Sequence, residues 1–383
     1  MPQIVRIVIA AGADGLQGRG RFESFQNVVL RIVTTLKDIG EELGLSVGTV
    51  SRALNGFPEV NARTRARVLG AAKRLNYHPN RSAQKLVTGR SGMVALVVRV
   101  KEDLTSDQTF FETLARLSST LEERRFSLVL VVDTGHDPVA PYAKHLGMGT
   151  IDGFIVNGPS PDDPRIAYLR KRGVPFVLHG RAGSDPEPDY AFVTIDNRAV
   201  AREATQFLID LGHRRIGLLN GEAEAAFAVD RRAGFEEAMG AAGLAVLQAA
   251  VAQGGMTESF GYTSALRMLS RPKGERPTAL VCAATRQAAG VQRAARDLRL
   301  DMPGDLSIIA HDDVVPQLRA SHLNPALTVT RAPLKDAYAP LATHLIALID
   351  GTPARDLQTY LTAEFIVRDS TGPVPEGETD PWP

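Results

Sequence analysis

The chain has 383 residues, 44% hydrophobic and 23% charged, with 44 basic and 43 acidic side chains and one cysteine, Cys282. That is the balance of a soluble globular protein with room for one large domain and one small one. A lone cysteine excludes an intrachain disulfide framework and a cysteine-rich metal site, and no stretch approaches the ~20 apolar residues of a membrane helix, so a reducing cytoplasm is the expected location.

Residues 1–33 read poorly as part of a domain. The apolar run at residues 4–11 is interrupted by Arg6 and is short for a signal peptide. Gly12, Gly15, Gly18 and Gly20 follow, but not at the G-x-G-x-x-G spacing that cradles a phosphate, and no apolar-periodic helix opens behind them. The segment is predicted to be a disordered extension, or the product of a start codon assigned too early, with Val33 as the native start.

From Thr35 the pattern changes. Thr35-Leu36-Lys37-Asp38 has the form of a capping box, and Leu36, Ile39 and Leu43 recur at helical spacing until Gly44, which tolerates a left-handed stop. Ser46 is a good cap for a second helix carrying Val50 and Leu54 on one face. Asn55-Gly56 ends it, and Asn61 caps a third helix with a predicted apolar stripe of Ala66, Leu69, Ala72 and Leu75. Two short helices joined through a glycine turn make a helix-turn-helix. Residues 35–90 carry ten basic side chains against four acidic ones, the electrostatic footprint of a nucleic-acid binder. Residues 79–90 follow as a short capped helix behind Pro79, a hinge and linker into a new region.

Residues 35–91 resemble the DNA-binding head and hinge of the lactose-repressor (LacI/GalR) family. The likeness lies in TLKDIGEELGLSVGTVSRALNG, TRARVLGAAKRLNYHPN and RSAQKLVTGRS. The resemblance implies that the second helix enters the major groove, with Val47, Gly48 and Arg52 reading bases and Thr49, Ser51, Asn55 and Thr64 holding phosphates. Arg52 suits a two-pronged contact with guanine and Val47 a thymine methyl; Gly48 offers no side chain. Helix capping is an equal alternative for Asn55. The hinge, with Asn80, Ala83 and Leu86, is implied to meet its twin over the centre of a palindromic operator, where Leu86 wedges into the minor groove. A helix this short folds only when packed on a partner and on DNA.

From Ser91 strand-like and helix-like pieces alternate, beginning with residues 94–98, 110–125 and 127–132 and ending with 280–283 and 307–310. The predicted fold is therefore an all-α head and hinge followed by an α/β bilobed domain with two parallel sheets and a cleft at the strand ends. The domains read as 34–78 for the head, 79–90 for the hinge, 91–370 for effector binding and dimerisation, and 371–383 for a disordered, proline-broken tail. This larger region also resembles the same family and, through it, periplasmic sugar-binding proteins. The carrying pieces are Ile151-Asp152-Gly153, Val193 to Asn197, Gly212 to Ile216, Arg231 to Phe235 and Asp312-Asp313.

The resemblance puts Asp196, Arg231, Thr285 and Asp312 at an effector site, with Phe110 and Phe111 either packing on the ligand or filling the core. Asp196 has the rival role of capping the helix behind it. Carboxylates and an arginine suit a sugar or sugar derivative. The family's Asn-Asp pair is replaced here by Thr285-Arg286, and its glycine-aromatic pair by Ala310-His311, so Arg286 with Arg231 keeps an anionic or phosphorylated effector open; a nucleobase is a further alternative. No catalytic motif, cofactor or metal is expected. His213 is read as structural, and a transport-type solute-binding protein would have no use for the basic head. The tail has no leucine heptads, so a homodimer is expected.

Overall fold

The computed structural model describes residues 34–77, 89–99, 108–183, 185, 187–314, 318–378 and 380–382. The chain divides into two compact units between Thr88 and Gly89.

The first unit has three helices: α1 (Leu36–Leu43), α2 (Val47–Leu54) and α3 (Ala62–Arg74). Each begins where a short polar side chain accepts an otherwise orphaned backbone N–H. Thr35 and Asp38 form the full capping box, Ser46 accepts from Thr49 N, and Asn61 accepts from Thr64 N. Gly44 stops α1 with φ 65°, a conformation that favours glycine. Ile39, Val50, Ala53, Val68, Ala71 and Ala72 form the core, with Leu36, Leu43, Leu54, Leu75 and Tyr77 around it. The predicted stripe on α3 is corrected here. Val68 and Ala71 turn inward, whereas Ala66 is exposed and Leu69 is 50% exposed. Both stripes satisfy helical spacing and share Ala72 and Leu75. Which one is buried is set by contact with Ile39 and Val50, which the helix's own sequence does not contain.

The second unit holds two six-stranded sheets. The first lobe comprises β1 (Met93–Arg99), α4 (Gln108–Glu123), β2 (Ser127–Asp133), α5 (Ala140–Gly147), β3 (Gly153–Asn157), α6 (Pro164–Lys171), β4 (Phe176–His179) and β5 (Ala191–Ile195). The second comprises α7 (Asn197–Asp210), β6 (Ile216–Asn220), α8 (Ala226–Ala241), β7 (Val251–Gln253), α9 (Glu258–Leu269), β8 (Ala279–Cys282), α10 (Thr285–Asp297), β9 (Ser307–Asp312) and β10 (Thr328–Arg331). The chain then returns to the first lobe through α11 (Tyr338–Ile349) and β11 (Gln358–Leu361), and crosses again to β12 (Glu364–Ile366). Sheet orders are β11-β5-β4-β3-β1-β2 and β12-β10-β9-β8-β6-β7. All pairings are parallel except β10 with β12.

Strands such as Ala279–Cys282 and Ser307–Asp312 are buried throughout, as parallel strands covered on both faces must be. Helices α4 and α11 cover one face of the first sheet and α5 and α6 the other. Helices α9 and α10 cover one face of the second sheet, α7 and α8 the opposite one. Gly261 and Gly290 let α9 and α10 touch: a Cβ at either would lie 2.1 Å from the facing backbone. No helix among the described residues is long and apolar enough to cross a membrane.

The predicted disordered tail is also corrected. Ile308 N donates to Ser370 O at 2.8 Å and Val374 N to Leu211 O at 3.0 Å. Glu378 forms an ion pair with Arg215, both buried, and Arg215 Nη1 donates to Asp380 O at 2.7 Å. The prolines stop this segment from forming a helix. Its backbone and acidic groups find their partners on the second lobe instead. His213 is fully buried beneath it, with Nδ1 2.9 Å from Thr278 Oγ1 and Nε2 3.1 Å from both Ser307 Oγ and Gly372 O. Burial lowers its pKa to about 4, so the imidazole is neutral and structural.

Candidate functional site

In the first unit, capping by Ser46 sets the start of α2 and leaves its first turn facing outward. Val47 is 46% exposed, an unusual position for a valine, and Gly48 and Arg52 share the exposed surface. Arg52 Nε donates to Gly48 O at 3.2 Å, which lays the guanidinium along the helix. A side chain at Gly48 would meet that guanidinium, its Cβ 3.6 Å from Nη2. Thr49 and Ser51 are half-buried; the Thr49 hydroxyl lies 2.9 Å from that of Ser46. Asn55 donates to Ser51 O at 2.9 Å and is the C-cap residue of α2, so the geometry gives it the capping role. Thr64 sits half-buried in the first turn of α3.

The basic excess divides by geometry. Arg65 braces the loop before α3 by donating to Phe57 O at 2.6 Å, Arg67 donates to Leu43 O, and Arg74 pairs with Glu42 at 2.5 Å. Arg52, Arg63 and Lys73 are exposed. Asn80, Ala83 and Leu86 lie outside the described residues. So do the side chains of Phe110 and Phe111, whose backbone opens α4.

In the second unit the strand ends converge on Arg231, on the first turns of α8. It is 7% exposed, with Nε donating to Asn197 Oδ1 at 2.9 Å and Nη1 to Ala283 O at 2.7 Å, and it stacks on Phe227 with the guanidinium carbon 5.2 Å from the ring centroid. Burial lowers its pKa to about 10, leaving it a cation at neutral pH. Asp313 faces it. Burial alone would raise the Asp313 pKa, but His311, Arg231 and His179 outweigh burial and hold the carboxyl below its ordinary range. His311 is buried, its Nδ1 3.0 Å from Thr330 Oγ1 and its Nε2 3.4 Å from Asp313 Oδ1; burial and then Arg231 lower its pKa. His179, at the end of β4 in the opposite lobe, shares a 2.9 Å hydrogen bond between its Nδ1 and Asn157 Oδ1 and packs edge-on to Tyr338. Burial brings its pKa to about 4.

Asp312 and Thr285 are both buried, and the Thr285 hydroxyl is 3.4 Å from Asp312 Oδ1, which also accepts from Val314 N at 2.8 Å. Asp196 is exposed and caps α7 by accepting from Ala199 N at 2.9 Å. Of the effector residues expected from sequence, the structure thus gathers Arg231, Thr285 and Asp312, and gives Asp196 a capping bond. It adds Asp313, His179 and Asn157. Asp313 was half-visible as the second residue of an Asp-Asp pair. His179 and Asn157 carried only one signal, their place at the ends of buried strands. Cys282 is buried, and burial pushes its thiol pKa up. Among the described residues no group of His, Cys, Asp or Glu is placed to hold a metal.

Comparison with known proteins gives matches along most of the chain. The family model for bacterial regulatory proteins, lacI family, matches residues 35–80, and that for the periplasmic binding protein-like domain matches residues 205–371. The transcriptional regulator AglR of Rhizobium meliloti (strain 1021) is 41% identical over 348 residues, covering 91% of this chain and 97% of that protein. CelR of Thermobifida fusca is 31% identical, covering 88% and 98%. Among solved structures, a CelR–cellobiose complex is 30% identical with TM-score 0.65, covering 88% of this chain and 99% of that one. A Lac repressor dimer bound to operator and the anti-inducer ONPF is 25% identical with TM-score 0.73, covering 89% and 99%.

Proposed function

The chain belongs to the lacI family of bacterial regulatory proteins and is a DNA-binding transcriptional regulator, and from that premise we propose that it is a cytoplasmic homodimer repressing a carbohydrate-utilisation operon until a sugar binds. Two heads occupy the halves of a palindromic operator. Val47, Gly48 and Arg52 address base edges, and Thr49, Ser51 and Thr64 the phosphates. Asn55 contributes through the end of α2. Asn80, Ala83 and Leu86 belong to the hinge that orders on the DNA.

The observation that carries the reading is the pair of opposed features in one chain. An apolar side chain, Val47, stands exposed at the start of a recognition-type helix, and a cationic one, Arg52, stands exposed in its last turn. A buried arginine, Arg231, waits between two lobes, with the part-exposed carboxylate of Asp313 within its electrostatic reach and a histidine on the other side. Paired carboxylates and a guanidinium are suited to the paired hydroxyls of a sugar. The cellobiose in the CelR structure supports a sugar effector, and the operator-bound Lac repressor dimer supports the mode of DNA binding.

A ligand that bridges the lobes favours one lobe arrangement over another, and only that difference in affinity can alter the spacing of the hinges. A backbone bond already crosses the cleft, from Ala226 N at the start of α8 to Pro159 O in the first lobe at 3.0 Å. The test is a gel shift with the DNA upstream of the protein's own gene, with and without a panel of sugars. A retarded band released by a sugar supports the proposal; no retardation of that DNA, or retardation indifferent to every sugar, refutes it.

A further inference from the structure

Helix α8 begins without a cap of its own. Its N-cap residue is Ala225, whose methyl side chain accepts nothing from the orphaned N–H groups of the first turn. The N–H of Ala226 instead donates across the cleft to Pro159 O, at 3.0 Å. Both residues are buried, so water does not replace either group while the lobes stay as they are.

The acceptor is held in place. Pro159 lies in the loop between β3 and α6, and Arg165 donates to the two carbonyls before it, Nη1 to Asn157 O at 3.2 Å and Nη2 to Gly158 O at 3.1 Å. Asp163 pairs with Arg165 and accepts from Ser160 N, just after Pro159, at 3.0 Å. The donor is tied to the effector residues, because Arg231 stacks on Phe227, the neighbour of Ala226 on the same helix. A second link crosses one turn further along α8. Burial raises the pKa of Asp230, and Arg181, behind β4 in the first lobe, is the strongest of the charges that oppose the rise.

The place of these links gives them leverage. The chain crosses between the lobes after β5, β10 and β11, which lie at or next to one edge of each sheet. Pro159 follows β3 and Ala226 follows β6, further across. A hinge motion about the crossings separates that side most.

We propose that the cleft of the ligand-free chain is latched shut by a helix cap that one lobe supplies to the other, Pro159 O on the N–H of Ala226, reinforced by the attraction of Arg181 for Asp230. Opening the lobes uncaps α8, the helix that carries Arg231. The step rests on the reading of this cleft as the effector site, for an effector then acts by the difference in its affinity for latched and unlatched lobes.

The test is pulsed electron double resonance between two spin labels on the full chain, free of ligand and DNA. The labels go on Lys171→Cys, exposed at the end of α6, and on Gly240→Cys of α8, where a Cβ meets nothing within 4 Å; the native Cys282 is buried and escapes labelling. One dominant distance is expected. Adding Ala226→Pro removes the N–H and sets the proline ring against Pro159 O. Proline suits the first position of a helix, and Ala225 already has the extended backbone, φ −78° and ψ 128°, that a following proline requires, so α8 still forms. That variant is expected to move most of the population to a longer distance. Asp230→Asn is expected to raise the share at that longer distance about two- to fivefold. A ligand-free parent already spread over the distances of Ala226→Pro, or an Ala226→Pro chain whose distances coincide with the parent's, overturns the latch. Neither result touches the sugar reading, which is decided by the gel shift, since no ligand or DNA enters this measurement.

Discussion

Replacing Arg231 with methionine keeps most of the side-chain volume and removes the guanidinium. Two acceptors lose their donor, Asn197 Oδ1 at 2.9 Å and Ala283 O at 2.7 Å, and the Asp313 carboxylate loses a nearby cation. Each orphaned buried acceptor costs about 1–3 kcal/mol, and the Asp313 carboxylate loses some electrostatic support besides. Two effects reduce the total. Asp313 retains 31% side-chain exposure, so water replaces part of what it loses. Arg231 itself pays a desolvation cost in the native state, which is why its pKa falls to about 10. A net loss of about 3 kcal/mol is expected, or about 6–12 °C in the melting of the effector unit at ~2–4 °C per kcal/mol. The head is a separate compact unit, so operator affinity without ligand should change less than twofold while the sugar response disappears. Differential scanning calorimetry and a sugar-titrated gel shift read the two effects separately. A melting temperature within about 2 °C of the parent, together with an intact sugar response, would refute the assignment of Arg231 as the centre of the cleft.

Four further outcomes are expected. His213 is held neutral with its pKa at about 4, against about 6.5 when unfolded, so the unfolded chain binds more protons between those values. Its contribution is complete above pH 6.5 and falls by ~1.4 kcal/mol per pH unit as pH drops towards 4, a slope in urea midpoints that His213→Gln should flatten. Asn61→Ala removes the cap of α3 and should cost the head about 1 kcal/mol, seen in thermal melts followed by circular dichroism. Arg52→Ala should cost about 1–3 kcal/mol of discrimination at one base pair of each half-site, whereas Arg63→Ala should weaken all sequences alike and lower the salt slope by about one, both read in competition gel shifts. Leu86→Ser should collapse the preference for operator over random DNA; undiminished preference would end the wedge account.

What the sequence reveals depends on the range of the interaction. Caps are local, and Thr35, Ser46 and Asn61 are legible because the donor each one satisfies is three residues away. The sheets are legible for a similar reason: a parallel strand buried on both faces must be apolar along its length. The phase of α3 is not legible, because Val68 and Leu69 are equally apolar and Ile39 decides between them. The tail fails the same way. Its prolines are visible, but Arg215, more than 150 residues earlier, is what holds Glu378. In the cleft, Arg231 is one of two adjacent arginines on α8, and nothing in the helix's own sequence marks it as the buried one. His179 and Asn157 meet each other, and His179 comes within electrostatic reach of Asp313, only because separate strands end on the same edge of a sheet.

The path of the chain through the two lobes has a consequence for synthesis. The first sheet is missing its outer strand until β11 is made, and β11 follows the whole of the second lobe's parallel array. During translation β5 therefore waits as an uncovered edge, the kind of surface that invites wrong pairing. The head, encoded first, is complete as soon as α3 leaves the ribosome. A nascent chain interrupted between α3 and β11 would therefore carry a finished head with no complete sensor behind it.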